Sequence, residues 1–269
     1  MPKPPLVVAV LGLGEAGGEI ARDLAAAGAQ VRGYDPLLGR PGGVSLPPGV
    51  IACGDERSAA EGCALVLSVN SAHDALGALE AGLSGAAPTT VWADLNTAPP
   101  RLKEALEARC GAAGRSFADV AMMSPVPGRG VRTPMLVSGD GARRFAELMT
   151  PFGTPLEVLD GPAGLAATKK LLRSVFYKGL AAAVVEAVQA ADAAGQGEWL
   201  RAHIRDELDA ADAALLDRLL EGSRQHALRR AEEMRAAASL LEGLGVRPHV
   251  SSASAAVLDD LRAASAGPA

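Results

Sequence analysis

Gly12, Gly14 and Gly17 stand at G-x-G-x-x-G spacing, after the apolar run Leu6-Val7-Val8-Ala9-Val10-Leu11 and before a small-residue stretch of helical period. That pattern places phosphate chemistry at a strand-to-helix turn. Gly12 permits the tight turn, Gly14 lets a pyrophosphate reach the backbone, and Gly17 lets the helix lie close on the strand. Leu13, Glu15 and Ala16 complete the loop. Asp35 closes a second apolar run, 30–34, where a carboxylate accepts from an adenosine ribose. Strand, glycine turn, helix, strand and terminal acid in this order predict a dinucleotide site.

A second constellation lies far along the chain. Lys170, Arg173, Ser174 and Tyr177 are spaced i, i+3, i+4, i+7 and share one helix face. A lysine in a dry cleft suits proton removal from a substrate hydroxyl, and Arg173 suits a bidentate grip on a carboxylate. The plainer reading is a solvated cationic face; Ser174, Tyr177 and the apolar flanks weigh against it. His226, amid arginines, is a further candidate, with an ordinary surface histidine as the plainer reading.

Ligands of an open α/β sheet bind beyond the carboxyl ends of its strands. There the sequence places Asn70-Ser71, Asn96-Thr97 and the 122–130 segment with Ser124. Asn70, Ser71 and Asn96 are cofactor candidates, and Thr97, Ser124, Arg173, Ser174, Tyr177 and His226 are substrate candidates. Asn70 or Ser71 serves equally as a helix N-cap, as does Thr97 before its proline-started helix.

Strand-like and helix-like segments alternate over residues 1–160, which predicts a doubly wound, mostly parallel Rossmann sheet of the α/β class. Residues 161–269 read as all-helical: 163–194, 197–221, 223–244 and a short last stretch at 254–264. The 269 residues suffice for two modest cores, 49% hydrophobic content argues against disorder, and a net charge of −5 with no dense basic patch argues against nucleic acid. No apolar run reaches the ~20 residues of a membrane span. Met1 to Pro5 leads straight into the first strand, so no cleavable leader and a cytoplasmic setting are expected. Three scattered cysteines, Cys53, Cys63 and Cys110, make neither a disulfide framework nor a zinc site and read as small buried hydrophobes. The long apolar helix predicts a homodimer through the C-terminal helices.

Together these residues resemble the β-hydroxyacid dehydrogenases, which include 3-hydroxyisobutyrate and 6-phosphogluconate dehydrogenases. The segment 12–21 is similar to that family's cofactor fingerprint, with Ala16 where methionine is usual. Asp94-Leu95-Asn96-Thr97-Ala98-Pro99-Pro100 resembles its D-x-S-T-x-x-P segment, with Asn96 for the serine. Gly164-Leu165-Ala166-Ala167-Thr168-Lys169-Lys170 is similar to its G-x-G-x-x-x-K, which makes Lys170, rather than Lys169, the counterpart of the catalytic lysine. Arg173 and Ser174 replace two usual asparagines, and Ser124 lies one place out of register in the substrate segment. The C-terminal half resembles a distinct branch with a short, largely uncharacterised helical domain.

The resemblance implies an NAD(P)-dependent oxidoreductase acting on a small hydroxy acid or related alcohol, with Lys170 as general base. Asp35 favours NAD, and Arg40 keeps NADP in play. An imine reductase-like NADPH enzyme, a dinucleotide sensor without turnover and a methyltransferase are the alternatives; the last explains neither the helical half nor the lysine face.

Overall fold

The computed structural model describes residues 5–265; Met1 to Pro4, on which the leader expectation partly rests, lie outside the described residues. The chain divides into two compact units, Met1–Arg173 and Ser174–Ala269. The division falls inside one helix, downstream of the composition change at Gly161-Pro162.

In the first unit, β1 (Val7–Leu11), β2 (Gln30–Tyr34), β3 (Val50–Ala52), β4 (Leu65–Ser68), β5 (Val91–Asp94), β6 (Ser116–Met122), β7 (Met135–Ser138) and β8 (Leu156–Val158) form one sheet in the order β3-β2-β1-β4-β5-β6-β7-β8. All pairings are parallel except β6 with β7. The helices are α1 (Glu15–Ala26), α2 (Glu56–Ala60), α3 (Ala75–Leu83), α4 (Pro100–Ala112) and α5 (Ala142–Met149). Alternate strand residues enter two cores. Val8 and Val10 join Ile20, Leu24 and Phe145 on one face; Ala9 and Leu11 join Trp92, Leu106 and Phe117 on the other. Strands buried on both faces explain the near-continuous apolar runs.

The strand order reverses direction between β1 and β4, the switch point where such sheets open a ligand crevice. The expected doubly wound, mostly parallel sheet is thus the observed one.

α6 (Leu165–Ala193) begins in the first unit and ends in the second. The second unit continues with α7 (Gly197–Asp209), α8 (Ala213–Gln225), α9 (Ala227–Gly243) and α10 (His249–Ser265). The helical stretch expected over 197–221 is two helices. Asp212 is extended (φ −125°, ψ −179°), and its carboxylate accepts from Leu215 N–H at 3.1 Å, starting α8 afresh. His226 interrupts the next expected stretch between α8 and α9, and the last helix is longer than 254–264.

Glu186 of α6 is buried and caps α10. Its carboxylate accepts from Val250 N–H (2.6 Å), Ser251 N–H (2.8 Å) and Ser251 Oγ (2.7 Å). Burial by itself pushes this carboxyl up, but those three donors and the neighbouring His249 outweigh it and hold it below the usual carboxylate range. A value lowered by folding contributes stability that is full above the unfolded value of 4.5 and is lost as pH falls through the folded one. Glu186→Gln is therefore expected to lower stability at neutral pH by on the order of 1 kcal/mol. Its gap to wild type should close on acidification below that value. Thermal melts across pH check this, and a gap that widens in acid contradicts it.

Candidate functional site

The glycine turn has the conformation its spacing demands. Gly12 has φ +94°, and a Cβ there would lie 2.6 Å from the Val69 carbonyl oxygen and 2.8 Å from Asn70 Cα. A Cβ on Gly17 would collide with the Gly12 carbonyl, so this glycine sets how closely α1 approaches the turn. Gly14 differs: a Cβ there would meet nothing within 4 Å. Gly14 is the N-cap of α1 and supplies no side-chain cap, so the first-turn amides face this open space with the positive end of the helix dipole. Glu15 and Ala16 open the helix beside it.

Asp35 steadies the turn. Its Oδ2 accepts from Leu13 N–H and its Oδ1 from Leu37 N–H, both at 2.8 Å. Each oxygen keeps acceptor capacity for a further donor. A hollow of about 330 Å³ opens beside the turn, walled by Gly12, Tyr34, Glu56, Asn70 and Asp74. Burial, with the Glu56 and Asp55 charges behind it, pushes the Tyr34 phenol up, so a neutral ring forms one wall. Turn, acid and hollow together fit a dinucleotide.

A row of buried polar residues crosses the sheet next to this turn. Ser68 of β4 lies beside Asp94 of β5, Asp94 beside Asp119 of β6, and Asp119 beside Ser138 of β7. All four are fully buried. Asn96 hangs from this row: its Nδ2 faces Asp94 Oδ2 (2.7 Å), Asn70 Oδ1 (2.8 Å) and Ser68 Oγ (3.3 Å). An acceptor-only carboxylate at Asp94 sets the amide orientation, so the Asn96 carbonyl faces away from the row.

Two adjacent carboxylates in a dry sheet repel, and Lys103 of α4 answers them. Its ammonium lies 2.5 Å from Asp94 Oδ1 and 3.2 Å from Asp119 Oδ1, and donates at 2.8 Å to the Asp94 carbonyl. Removing one partner of such a buried group costs about 3–5 kcal/mol, because the others stay behind uncompensated. Asp119 also reaches α6: its Oδ2 accepts from Gly164 N–H (2.9 Å) and Ala167 N–H (3.0 Å). Ser138 Oγ accepts from Ala166 N–H at 3.1 Å, and Glu107 of α4 takes the Ala163 N–H at 3.2 Å.

One turn further on, half-buried Lys170 lines a narrow crevice with Asn96, Thr97, Asp119 and Ala167. Lys170, Asn96 and Thr97, far apart in sequence, are therefore brought together. Lys169 points elsewhere, exposed and 3.8 Å from Glu157. Thr97 caps nothing, because the N-cap of α4 is Pro99. Ser71 belongs to the turn before α3, where its Oγ accepts from Asp74 N–H at 3.1 Å.

Other candidates stand apart. Ser124 is in the β6–β7 connection, which α1 pins through Glu19 to Gly128 N–H (2.8 Å) and Asp23 to Val131 N–H (3.1 Å). Neither hollow described above includes Ser124 in its lining. Arg173 is exposed at the end of the first unit. Ser174 and Tyr177 begin the second, with Tyr177 in edge contact with Phe176 at 5.0 Å. His226 is exposed at the α8–α9 junction.

Cys63 and Cys110 are buried; burial pushes their thiols up to about 11 and about 12, and neither is a thiolate at neutral pH.

Lys103, Asp94 and Asp119 were not singled out by sequence as a cluster. The available signal is periodic: the buried stripe of α4 is Lys103, Leu106 and Cys110, so a lysine holds a position where the helix calls for an apolar residue.

A protein-family comparison matches residues 191–261 to DUF1932, a domain of unknown function. The matched residues lie within the second unit. The match falls in the helical half that the sequence sets apart as largely uncharacterised. An uncharacterized 28.5 kDa protein of Methanothermus fervidus is 32% identical over 100 residues, 37% of this chain and 39% of that protein. The match thus spans well under half of the relative's length.

Among solved structures, the conserved protein MTH1747 of unknown function, whose structure reveals similarity with 3-hydroxyacid dehydrogenases, is 25% identical with a TM-score of 0.60. That match covers 96% of this chain and 98% of that one. An imine reductase from Myxococcus stipitatus in complex with NADP+ superposes with a TM-score of 0.79 at 16% identity, covering 96% and 94%. At that identity the likeness shows the fold alone. Among the described residues no helix is long and apolar enough to cross a membrane.

Proposed function

We propose that this protein is an NAD(P)-dependent oxidoreductase that uses Lys170 as general acid and base on a small hydroxy acid or related alcohol. One observation carries the reading: Lys170, Asn96 and Thr97 line one crevice, in the sheet region next to the glycine turn. When bound, a nicotinamide supplies or accepts the hydride. The chain's own residues do the rest. The α1 amides and Gly14 hold the phosphates, Asp35 takes a ribose hydroxyl, and Asn70, Ser71 and Asn96 orient the dinucleotide toward the crevice. Lys170 removes the hydroxyl proton in the oxidative direction and returns it in reduction. Thr97 positions the substrate, and Arg173, one turn from Lys170, binds its acidic group.

Replacing Lys170 with Ala should cut turnover by ~10²–10⁴ while leaving cofactor binding in place. A panel of hydroxy acids, alcohols and cyclic imines, followed at the nicotinamide absorbance, tests both parts. Full activity in Lys170→Ala overturns the assignment, and turnover of imines with none of hydroxy acids replaces the alcohol by an imine. Cofactor binding with no turnover of any panel member makes the protein a sensor.

Asp35 disfavours a 2′-phosphate, and Glu56 and Asp74 add negative charge to the adjacent hollow. NADH is therefore expected to bind more tightly than NADPH in a fluorescence titration, and the reverse order refutes the preference. Gly14 has an ordinary φ of −62° with open space beside it. Gly14→Val should fold normally and lose at least tenfold in NADH affinity, since the side chain fills the phosphate cradle; unchanged affinity removes that cradle.

We further propose a homodimer. Leu172, Val175, Phe176 and Leu180 of α6 are 65%, 74%, 59% and 45% exposed. An apolar hollow of about 510 Å³ lies in the second unit among Ala187, Ala190, Met234 and Leu241. So much exposed apolar surface on one helix calls for a second copy. Light scattering at micromolar concentration should give twice the chain mass, and a monomeric mass rules the dimer out.

A further inference from the structure

Asp119 belongs to the buried ion cluster and also touches the helix carrying Lys170. Its Oδ1 faces the Lys103 ammonium at 3.2 Å, and its Oδ2 takes two of the amides that open α6. Each N–H from 163 to 168 is donated: to Glu107, Asp119, the Pro162 carbonyl, Ser138, Asp119 and the Gly164 carbonyl in turn. First-turn amides have no partners within the helix and must find them outside it. Here two strands and a preceding helix supply them.

The clamp is also charged. Asp94 and Asp119 against Lys103 leave one excess negative charge, and it sits where the positive end of α6 meets it. Asp119 and Lys170 line the same crevice. We propose that Asp119 is a positioning residue for Lys170: it fixes the lysine's height over the crevice by holding the first turn of α6, and its charge sets how readily the Lys170 amine gives up its proton.

This rests on Lys170 being the acid–base group, but its test does not need turnover. Charged groups on the elements about the crevice include Asp119 of β6, with Asp94 of β5 and Lys103 of α4 behind it. Glu104 of α4 lies beside Gly164, Glu157 of β8 pairs with Lys169, and Lys169 and Arg173 are on α6 itself. Asp119→Asn removes the negative charge in the crevice wall and leaves the Lys103–Asp94 pair matched. An ammonium that loses an opposite charge gives up its proton more easily, so the Lys170 titration should move down by on the order of one pH unit.

The measurement is the pH dependence of Lys170 acylation by a small amine reagent, read peptide by peptide by mass spectrometry in the full chain. Lys169 in the same peptide region is the internal control. The expected result is a lower midpoint for Lys170 with Lys169 unmoved. An unchanged Lys170 midpoint overturns the charge role, because a merely structural contact would leave it in place.

Ser138→Ala tests the mechanical half without altering charge, and it serves also if Asp119→Asn does not fold. Freed from its acceptor, the Ala166 amide should exchange with solvent at least tenfold faster while β1 and β4 amides keep their rates. Unaltered exchange at Ala166 overturns the clamp. Failure of either result leaves the turnover test of Lys170→Ala untouched, and an inactive panel leaves these results standing.

Discussion

Two carboxylates buried side by side in adjacent strands are the constraint on which the first unit depends. Asp94 and Asp119 stand side by side across β5 and β6, both fully buried. Left alone they would repel at a spacing where low dielectric magnifies every charge. Lys103 answers the repulsion, and the amides of α6 absorb the remainder. The cluster thereby joins a helix before the β6 strand to one well after it. A hydrophobic row of the same size would pack as well but would offer no acceptors to the amides that open α6.

The same cluster joins the two halves of the candidate site. On one side Asp94 orients the Asn96 amide, which reaches Asn70 beside the glycine turn. On the other, Asp119 seats the helix of Lys170. The glycine-turn edge and the first turn of α6 are therefore parts of one polar network within a single compact unit.

Much of this was legible in the residues. The glycine spacing placed the turn correctly because each glycine meets a steric demand that another residue fails: a left-handed φ at Gly12, a colliding carbonyl at Gly17. The strands announced themselves because a sheet covered on both faces needs unbroken apolar runs. Lys103 was hidden, since a lysine in a charged helix reads as surface until the register of two neighbouring strands shows what it faces. The break at Asp212 was hidden too, because Asp209-Ala210-Ala211-Asp212 contains no glycine or proline and only local capping stops the helix. Ser124 and His226 line neither the crevice nor the hollow beside the turn, and residue spacing alone does not encode which polar side chains meet a cavity.

The antiparallel return of β7 has a consequence for folding fidelity. Side chains alternate between sheet faces, so a slip of β6 by one residue would swing Asp119 from the Trp92 side into the Phe145 side, away from Lys103 and the opening of α6. A bare carboxylate among alkyl groups is far costlier than a mismatched methyl. The ion cluster thus acts as a proofreader of strand alignment: chains that zip up one notch out of place are penalised at once and unzip, while purely apolar strands would tolerate the error.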